Sequence, residues 1–215
     1  DGVLVEKFSE LPMDCDNAFF HKNPAFLVVY NSIAAINKAR SIATDMQEVE
    51  VKVLDVDVQA VRQKLVDLGA KQVFDGELDI TIFDTEDDRM RKAKNLLRLR
   101  SDGEKTVLCH KALITKQGAK IMDEHEVEVQ DKERAKLFLQ SLGFTKQRKQ
   151  TKHRTSYVLG DVRFELDTLP GIPTFLEIEA KDVETLQKAV ARLGYTSQDT
   201  KPWSGKDVLD HYAKV

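Results

Sequence analysis

Glu48-Val49-Glu50-Val51-Lys52 is the stretch from which the rest of this chain can be read. In an extended strand side chains alternate between faces, so Glu48, Glu50 and Lys52 share one face while Val49, Val51 and Val53 line the other. Two carboxylates about 7 Å apart on such a face repel by roughly 2 kcal/mol at an effective dielectric of 20. Plain water absorbs that cost, and so do neighbouring cations or a metal ion. A single E-x-E-x-K therefore reads as a solvated strand face over an apolar core.

The pattern recurs. Glu48-Val49-Glu50-Val51 leads through an amphipathic segment to Leu68-Gly69-Ala70, Glu126-Val127-Glu128-Val129 to Leu142-Gly143-Phe144, and Glu177-Ile178-Glu179-Ala180 to Leu193-Gly194-Tyr195. Three times the chain writes an acidic alternating strand, a helix, then Leu-Gly-hydrophobic. The spacing is irregular, which argues against a solenoid.

The bulk properties bound the function. With 215 residues, 41% hydrophobic and 32% charged, the chain suits one substantial soluble domain with an extension. A net charge of −3 argues against nucleic acid as the main partner but leaves room for a local anion pocket. Cys15 and Cys109 form no C-x-x-C, so neither a disulfide framework nor a zinc site is expected, and the expected compartment is reducing cytosol. The apolar run over 25–30 is too short to span a bilayer, so no membrane partner is expected.

The expected domains are an N-terminal extension over 1–44 and a main domain over 45–215. In the extension, Asn23-Pro24 opens a predicted helix over 25–40 with Leu27, Tyr30, Ile33 and Ala34 on one face. Packing on the main domain, pairing with a second chain (a homodimer) and closing an upstream domain all remain open for it. In the main domain, helix stripes are predicted at Val58, Val61, Leu65 and Leu68; at Ala135, Phe138, Leu139 and Leu142; and at Val183, Leu186, Val190 and Leu193. Ser101-Asp102-Gly103 reads as a hairpin turn and residues 116–120 as a loop with Gly118 at its tip. Asp182 reads as a helix cap, and Ser204 with Asp207 as a capping box.

The polar strand faces collect two inventories. The carboxylates are Glu48, Glu50, Glu126, Glu128, Glu165, Asp167, Glu177 and Glu179, with Arg163 on the same face as Glu165 and Asp167. The cations are Lys52, Arg98, Arg100, Lys111, Lys152 and Arg154. One arrangement satisfies both faces: helices cover the apolar outside of a closed barrel, and the charges turn inward. Such an interior needs interleaved signs and a charged ligand. The cations suit phosphate oxygens, and the carboxylates suit Mg²⁺ or Mn²⁺. No G-x-x-x-x-G-K-[ST] or G-x-G-x-x-G is present, so phosphate would be held by side chains. The five histidines show no metal-ligand spacing, and His110 and His125 stand out only for their neighbours.

These residues resemble a known family. Glu48-Val49-Glu50-Val51-Lys52 is similar to the E-x-E-x-K signature of the CYTH superfamily, the triphosphate tunnel metalloenzymes, and the likeness runs over about 46–212. Asp79-Ile80-Thr81-Ile82-Phe83-Asp84-Thr85 resembles D-x-Y-F-D with Ile82 in place of tyrosine, and Leu97-Arg98-Leu99-Arg100 resembles L-R-[IL]-R. Lys111 falls where the next strand carries a lysine, and Lys152-His153-Arg154 with Tyr157 resembles K-x-R-x-x-Y. Leu166-Asp167 and Phe175-Leu176-Glu177-Ile178-Glu179 resemble the closing L-D…F-x-E-I-E, with Ile172-Pro173 where a glycine pair is usual.

The resemblance implies an α+β fold: an antiparallel eight-stranded β-barrel, closed or nearly so, with helices outside and a triphosphate along its axis. It implies Glu48, Glu50, Asp167, Glu177 and Glu179 as metal ligands. Lys52, Arg98, Arg100, Lys111, Lys152 and Arg154 would bind phosphate, and Glu126, Glu128 and Lys111 would serve catalysis. Tripolyphosphate, ATP and thiamine triphosphate are the substrates it implies. Hydrolysis is the leading expectation, with cyclisation of ATP to cyclic AMP and a non-catalytic polyphosphate- or nucleotide-binding module as alternatives.

Overall fold

The computed structural model describes residues 47–214; the extension expected over 1–44, with its helix, lies outside the described residues. The strands are β1 (Gln47–Val53), β2 (Lys71–Asp84), β3 (Asn95–Ser101), β4 (Thr106–Thr115), β5 (Lys120–Glu128), β6 (Lys146–Leu159), β7 (Val162–Thr168), β8 (Phe175–Ala180) and β9 (Thr200–Lys201). The helices are α1 (Val58–Asp67), α2 (Arg89–Lys92), α3 (Lys132–Ser141), α4 (Val183–Arg192) and α5 (Gly205–Tyr212). The strand order β5-β4-β3-β2-β6-β7-β8-β1 closes because β1 also pairs with β5, giving an eight-stranded antiparallel barrel in an α+β fold. The short β9 extends the sheet along the far half of β1, where Lys52 and Val53 face Lys201 and Thr200.

The threefold motif becomes three neighbouring strands. β5, β1 and β8 lie side by side, with Glu50 opposite Lys120 on one flank and Glu179 on the other. Each strand runs into a helix capped by an aspartate: Asp57 accepts from Gln59 and Ala60 N–H, Asp131 from Glu133 and Arg134 N–H, and Asp182 from Thr185 N–H. Each helix ends in the same way. Gly69, Gly143 and Gly194 take φ of 81°, 92° and 80°, and the next residue's N–H returns to the carbonyl of Leu65, Leu139 or Val190. Only glycine enters that left-handed geometry without a Cβ penalty, so Leu-Gly is a stop signal.

The two faces of β1 are both buried, for different reasons. Val49, Val51 and Val53 point outward into a core with Val61 and Leu65 of α1, Leu186, Val190 and Leu193 of α4, and Phe164 and Ile178. Each such fully buried side chain contributes about 1.5–3 kcal/mol, and Leu65→Ala would cost about 2–5 kcal/mol. A second core under α3 joins Phe83, Met90, Leu97, Leu99 and Leu139. A third places Val208 of α5 and Trp203 against Phe175 and Leu169. The capping box at Ser204 and Asp207 fixes the start of α5.

Two expectations need correction. Of the α3 stripe, Leu139 is buried and Ala135 packs beside it, but Phe138 and Leu142 face solvent, because the helix lies on the sheet by its Ala135–Leu139 edge alone. The loop over 116–120 ends one residue early: Lys120 begins β5 and faces Glu50. The Ile172-Pro173 turn is anchored, since Ile172 packs against the third core.

Candidate active site

The inner faces of the strands converge on a cavity of about 150 Å³ lined by Glu48, Arg98, Arg100, Lys111, Glu124, Glu126, Arg154, Arg163, Glu165, Glu177 and Glu179. Every one of these side chains is ionisable. Alternation places them there: Arg98 and Arg100 on β3, Glu124 and Glu126 on β5, Arg163 and Glu165 on β7, and Glu177 and Glu179 on β8 are each separated by one outward residue.

Beyond this cavity, toward the strand ends that carry Lys52 and Phe175, the charges close on one another. Lys52 Nζ donates to Glu50 at 2.8 Å and lies 2.5 Å from Glu177. Lys120 Nζ reaches the same Glu50 oxygen at 2.8 Å. Arg154 grips Asp167 with two hydrogen bonds of 2.6 Å, and Lys152 donates to Asp167 at 2.6 Å. Arg154 Nη1 also abuts Glu165 Oε2 without the geometry of a hydrogen bond. The Lys52 and Asp167 side chains are 3% and 1% exposed. Burial opposes the Lys52 charge, but Glu177 and Glu50 outweigh it and raise its pKa above the ordinary lysine range. Burial likewise opposes the Glu177 carboxylate, yet Lys52, Arg154 and Lys152 hold its pKa well below the usual range. Lys152 goes the other way, pushed down to about 8 by burial and by the neighbouring Arg154.

The opposite end is looser. Arg98 lies 3.4 Å and Arg100 3.6 Å from the same Glu126 oxygen, and these side chains are 13%, 25% and 38% exposed. Lys111 bridges Glu48 and Glu124, the latter at 3.0 Å. Burial pushes the Glu179 carboxyl up to about 8, with the charges of Glu48 and Glu177 adding to it.

Of the residues expected from the sequence, Glu48, Arg98, Arg100, Lys111, Glu126, Arg154, Glu177 and Glu179 line the cavity. Glu50, Lys52, Lys152 and Asp167 form the buried network behind it. Glu128 is a correction: it shares the inward face, but β5 ends there, beyond the cavity, and its carboxylate is exposed beside Lys105 at 3.9 Å. The sequence reading left out Glu124, one E-x-E step earlier, and Lys120; alternation back from Glu126 could have found both. His110 and His125 stack across β4 and β5 on the outer face, with centroids 6.3 Å apart, away from the cavity. Cys109 is on the inner face, donating to Glu124 at 3.0 Å. Burial, with Glu124 adding and Arg98 opposing, pushes its thiol up to about 12, so it stays protonated and unreactive.

The donor set suits a hard cation. Carboxylate oxygens of Glu48, Glu50 and Glu177, and of Glu165, Glu177 and Glu179, lie within 4.8 Å of one another in each group. All-oxygen donors of this kind match Mg²⁺ or Mn²⁺. The fit is supported by Glu179, which has no cation within 4 Å among the described residues.

A closed barrel whose interior is charged and whose exterior is apolar under helices forms a charged tunnel. The CYTH domain description matches residues 46–199, and the chain belongs to that family. It is similar to a Methanocaldococcus jannaschii protein provisionally named adenylate cyclase, 29% identical over 134 residues, covering 62% of this chain and 77% of that one. It is also similar to the solved PH1012 protein of Pyrococcus horikoshii, with TM-score 0.63 and 28% identity over 73% of this chain and 96% of the other. A conserved Pyrococcus furiosus protein gives TM-score 0.62 and 25% identity over 74% and 97%.

Proposed function

We propose that this chain is a divalent-metal-dependent enzyme that hydrolyses a triphosphate inside its tunnel. The observation that carries the reading is the lining of the cavity: eleven ionisable side chains and, among the described residues, no aromatic or aliphatic one. Such a surface recognises charge and offers no platform to a base or a thiazole ring.

Phosphoryl transfer is mostly positioning and electrostatic stabilisation. Arg98, Arg100, Lys111 and Arg154 would hold phosphate oxygens, the arginines with paired N–H donors. Lys52 and Lys152 would keep Glu177 and Asp167 ionised, and Lys52 would fix Glu50 in place. Glu48, Glu50, Glu177 and Glu179 would hold Mg²⁺ or Mn²⁺, with Asp167 held in reserve behind them by Arg154. When bound, such an ion draws negative charge from the phosphates and lowers the pKa of water beside it. Glu126, at the open end between Arg98 and Arg100, would orient the attacking water and accept its proton.

A second reading has one specific support, the name carried by the Methanocaldococcus jannaschii relative. In that reading the ribose 3′-hydroxyl of ATP attacks the α-phosphate and pyrophosphate leaves. One panel separates the two: tripolyphosphate, ATP and thiamine triphosphate, each with Mg²⁺ or Mn²⁺, followed for phosphate, pyrophosphate and cyclic AMP. The expected result is phosphate release that chelation abolishes. Cyclic AMP from ATP would replace hydrolysis with cyclisation, and tight binding without any product would make the chain a binding module.

A further inference from the structure

Among the cations that line the cavity, one differs from the others. Arg98, Arg100, Lys111 and Arg154 each have a carboxylate oxygen within 4 Å, whereas Arg163 has none among the described residues. It stands directly opposite Glu179 in the β7–β8 register, yet the two make no ion pair. Arg163 is the second residue of β7, just past the Gly160 turn, and it is exposed. It lines both the charged cavity and an adjoining hollow of about 260 Å³ that it shares with Gly160 and Glu179. It therefore sits at the rim, where the tunnel gives way to open surface.

We propose that Arg163 is a specificity-determining residue that binds the phosphate at the outer end of the substrate and favours a chain whose outer end is a free, fully ionised phosphoryl group. The inference rests on the reading of the cavity as a triphosphate site. A paired arginine must share or surrender its carboxylate to meet a phosphate, and an unpaired one need not, so its binding energy goes to the ligand undiminished. The charged cavity has no room suited to an organic group, which must therefore project through the rim. In a nucleoside triphosphate the phosphate at that point is an ester with one ionisable oxygen fewer. In tripolyphosphate it is a terminal phosphoryl, and the guanidinium gains the added charge.

The test compares wild type, Arg163→Gln and Arg163→Lys in steady-state turnover of tripolyphosphate and of ATP with Mg²⁺ or Mn²⁺. Because Arg163 is exposed and unpaired, the variants should melt with wild type. Arg163→Gln is expected to raise KM for tripolyphosphate about tenfold with a much smaller change in kcat, to raise KM for ATP less than threefold, and to be partly rescued by lysine. A KM for tripolyphosphate within twofold of wild type, or an equal rise for both substrates, overturns the proposal while leaving the triphosphate reading intact. Failure of wild type to turn over or bind either compound would remove that reading and this proposal with it.

Discussion

The two ends of the tunnel hold the same kinds of side chain in opposite states of commitment. At the closed end Lys52, Lys120, Lys152 and Arg154 are locked on Glu50, Asp167 and Glu177 at 2.5–2.8 Å, out of water. At the open end Arg98 and Arg100 share one partly exposed carboxylate at 3.4–3.6 Å, and Arg163 has no partner among the described residues. Buried charges can be kept only as satisfied networks, so the closed end acts as architecture that presets the carboxylates. Exposed, loosely paired charges cost less to rearrange than buried ones, so the open end can reorganise around a ligand more readily than the closed end.

The comparison breaks first on activity. Glu179→Gln keeps the shape of a carboxyl that has no cationic partner to lose, so the variant should fold as wild type while metal-dependent turnover falls on the order of 100-fold. Glu128→Gln, outside the cavity, should leave turnover within about twofold. Equal losses in the two variants would erase the boundary drawn here at the end of β5.

Stability separates the ends next. Arg154→Ala strips a buried network of its central cation and should cost about 3–5 kcal/mol in denaturant unfolding. Arg100→Ala, at the open end, should cost no more than about 1 kcal/mol. Similar values for the two would mean that the closed end is not the structural half.

The pH dependence sharpens the comparison further. Glu179 holds its proton to about pH 8 in the folded chain, against an ordinary 4.5. The native state therefore binds more protons than the unfolded one between those values. Without metal, stability should fall as pH rises from about 4.5 to about 8, by no more than about 1.4 kcal/mol per pH unit from this group. Thermal melts of wild type against Glu179→Gln should show the slope in the first and its reduction in the second.

The smallest effect concerns the shared helix stop. Gly143→Ala, at φ 92° with open space around it, should cost about 1–2 kcal/mol through backbone strain alone and leave KM unchanged.

Much of this was legible in the sequence because side-chain alternation is local. Glu48, Glu50 and Lys52 declare a polar face as soon as the stretch is read as a strand, and the same holds for Arg98 with Arg100 and Glu177 with Glu179. The closure of the ring by β1 on β5 is a pairing over some seventy residues, and periodicity carries no such information; the family resemblance supplied it. Lys120 is hidden by Gly118, a turn signal whose loop reads one residue too far. Glu128 was overread because sharing an inward face does not say where along the barrel a residue stands. Phe138 and Leu142 were overread for a similar reason, since a stripe gives a helix its apolar side but not the edge on which it rests. Arg163 was visible as a face-mate of Glu165 and Asp167, but its lack of a partner is a property of three dimensions.

The most direct test is anomalous scattering from crystals soaked with Mn²⁺ and tripolyphosphate. A manganese peak is expected among Glu48, Glu50, Glu177 and Glu179, with phosphate density against Arg98, Arg100 and Arg154. Manganese scattered over surface carboxylates, with no phosphate inside the barrel, would contradict it.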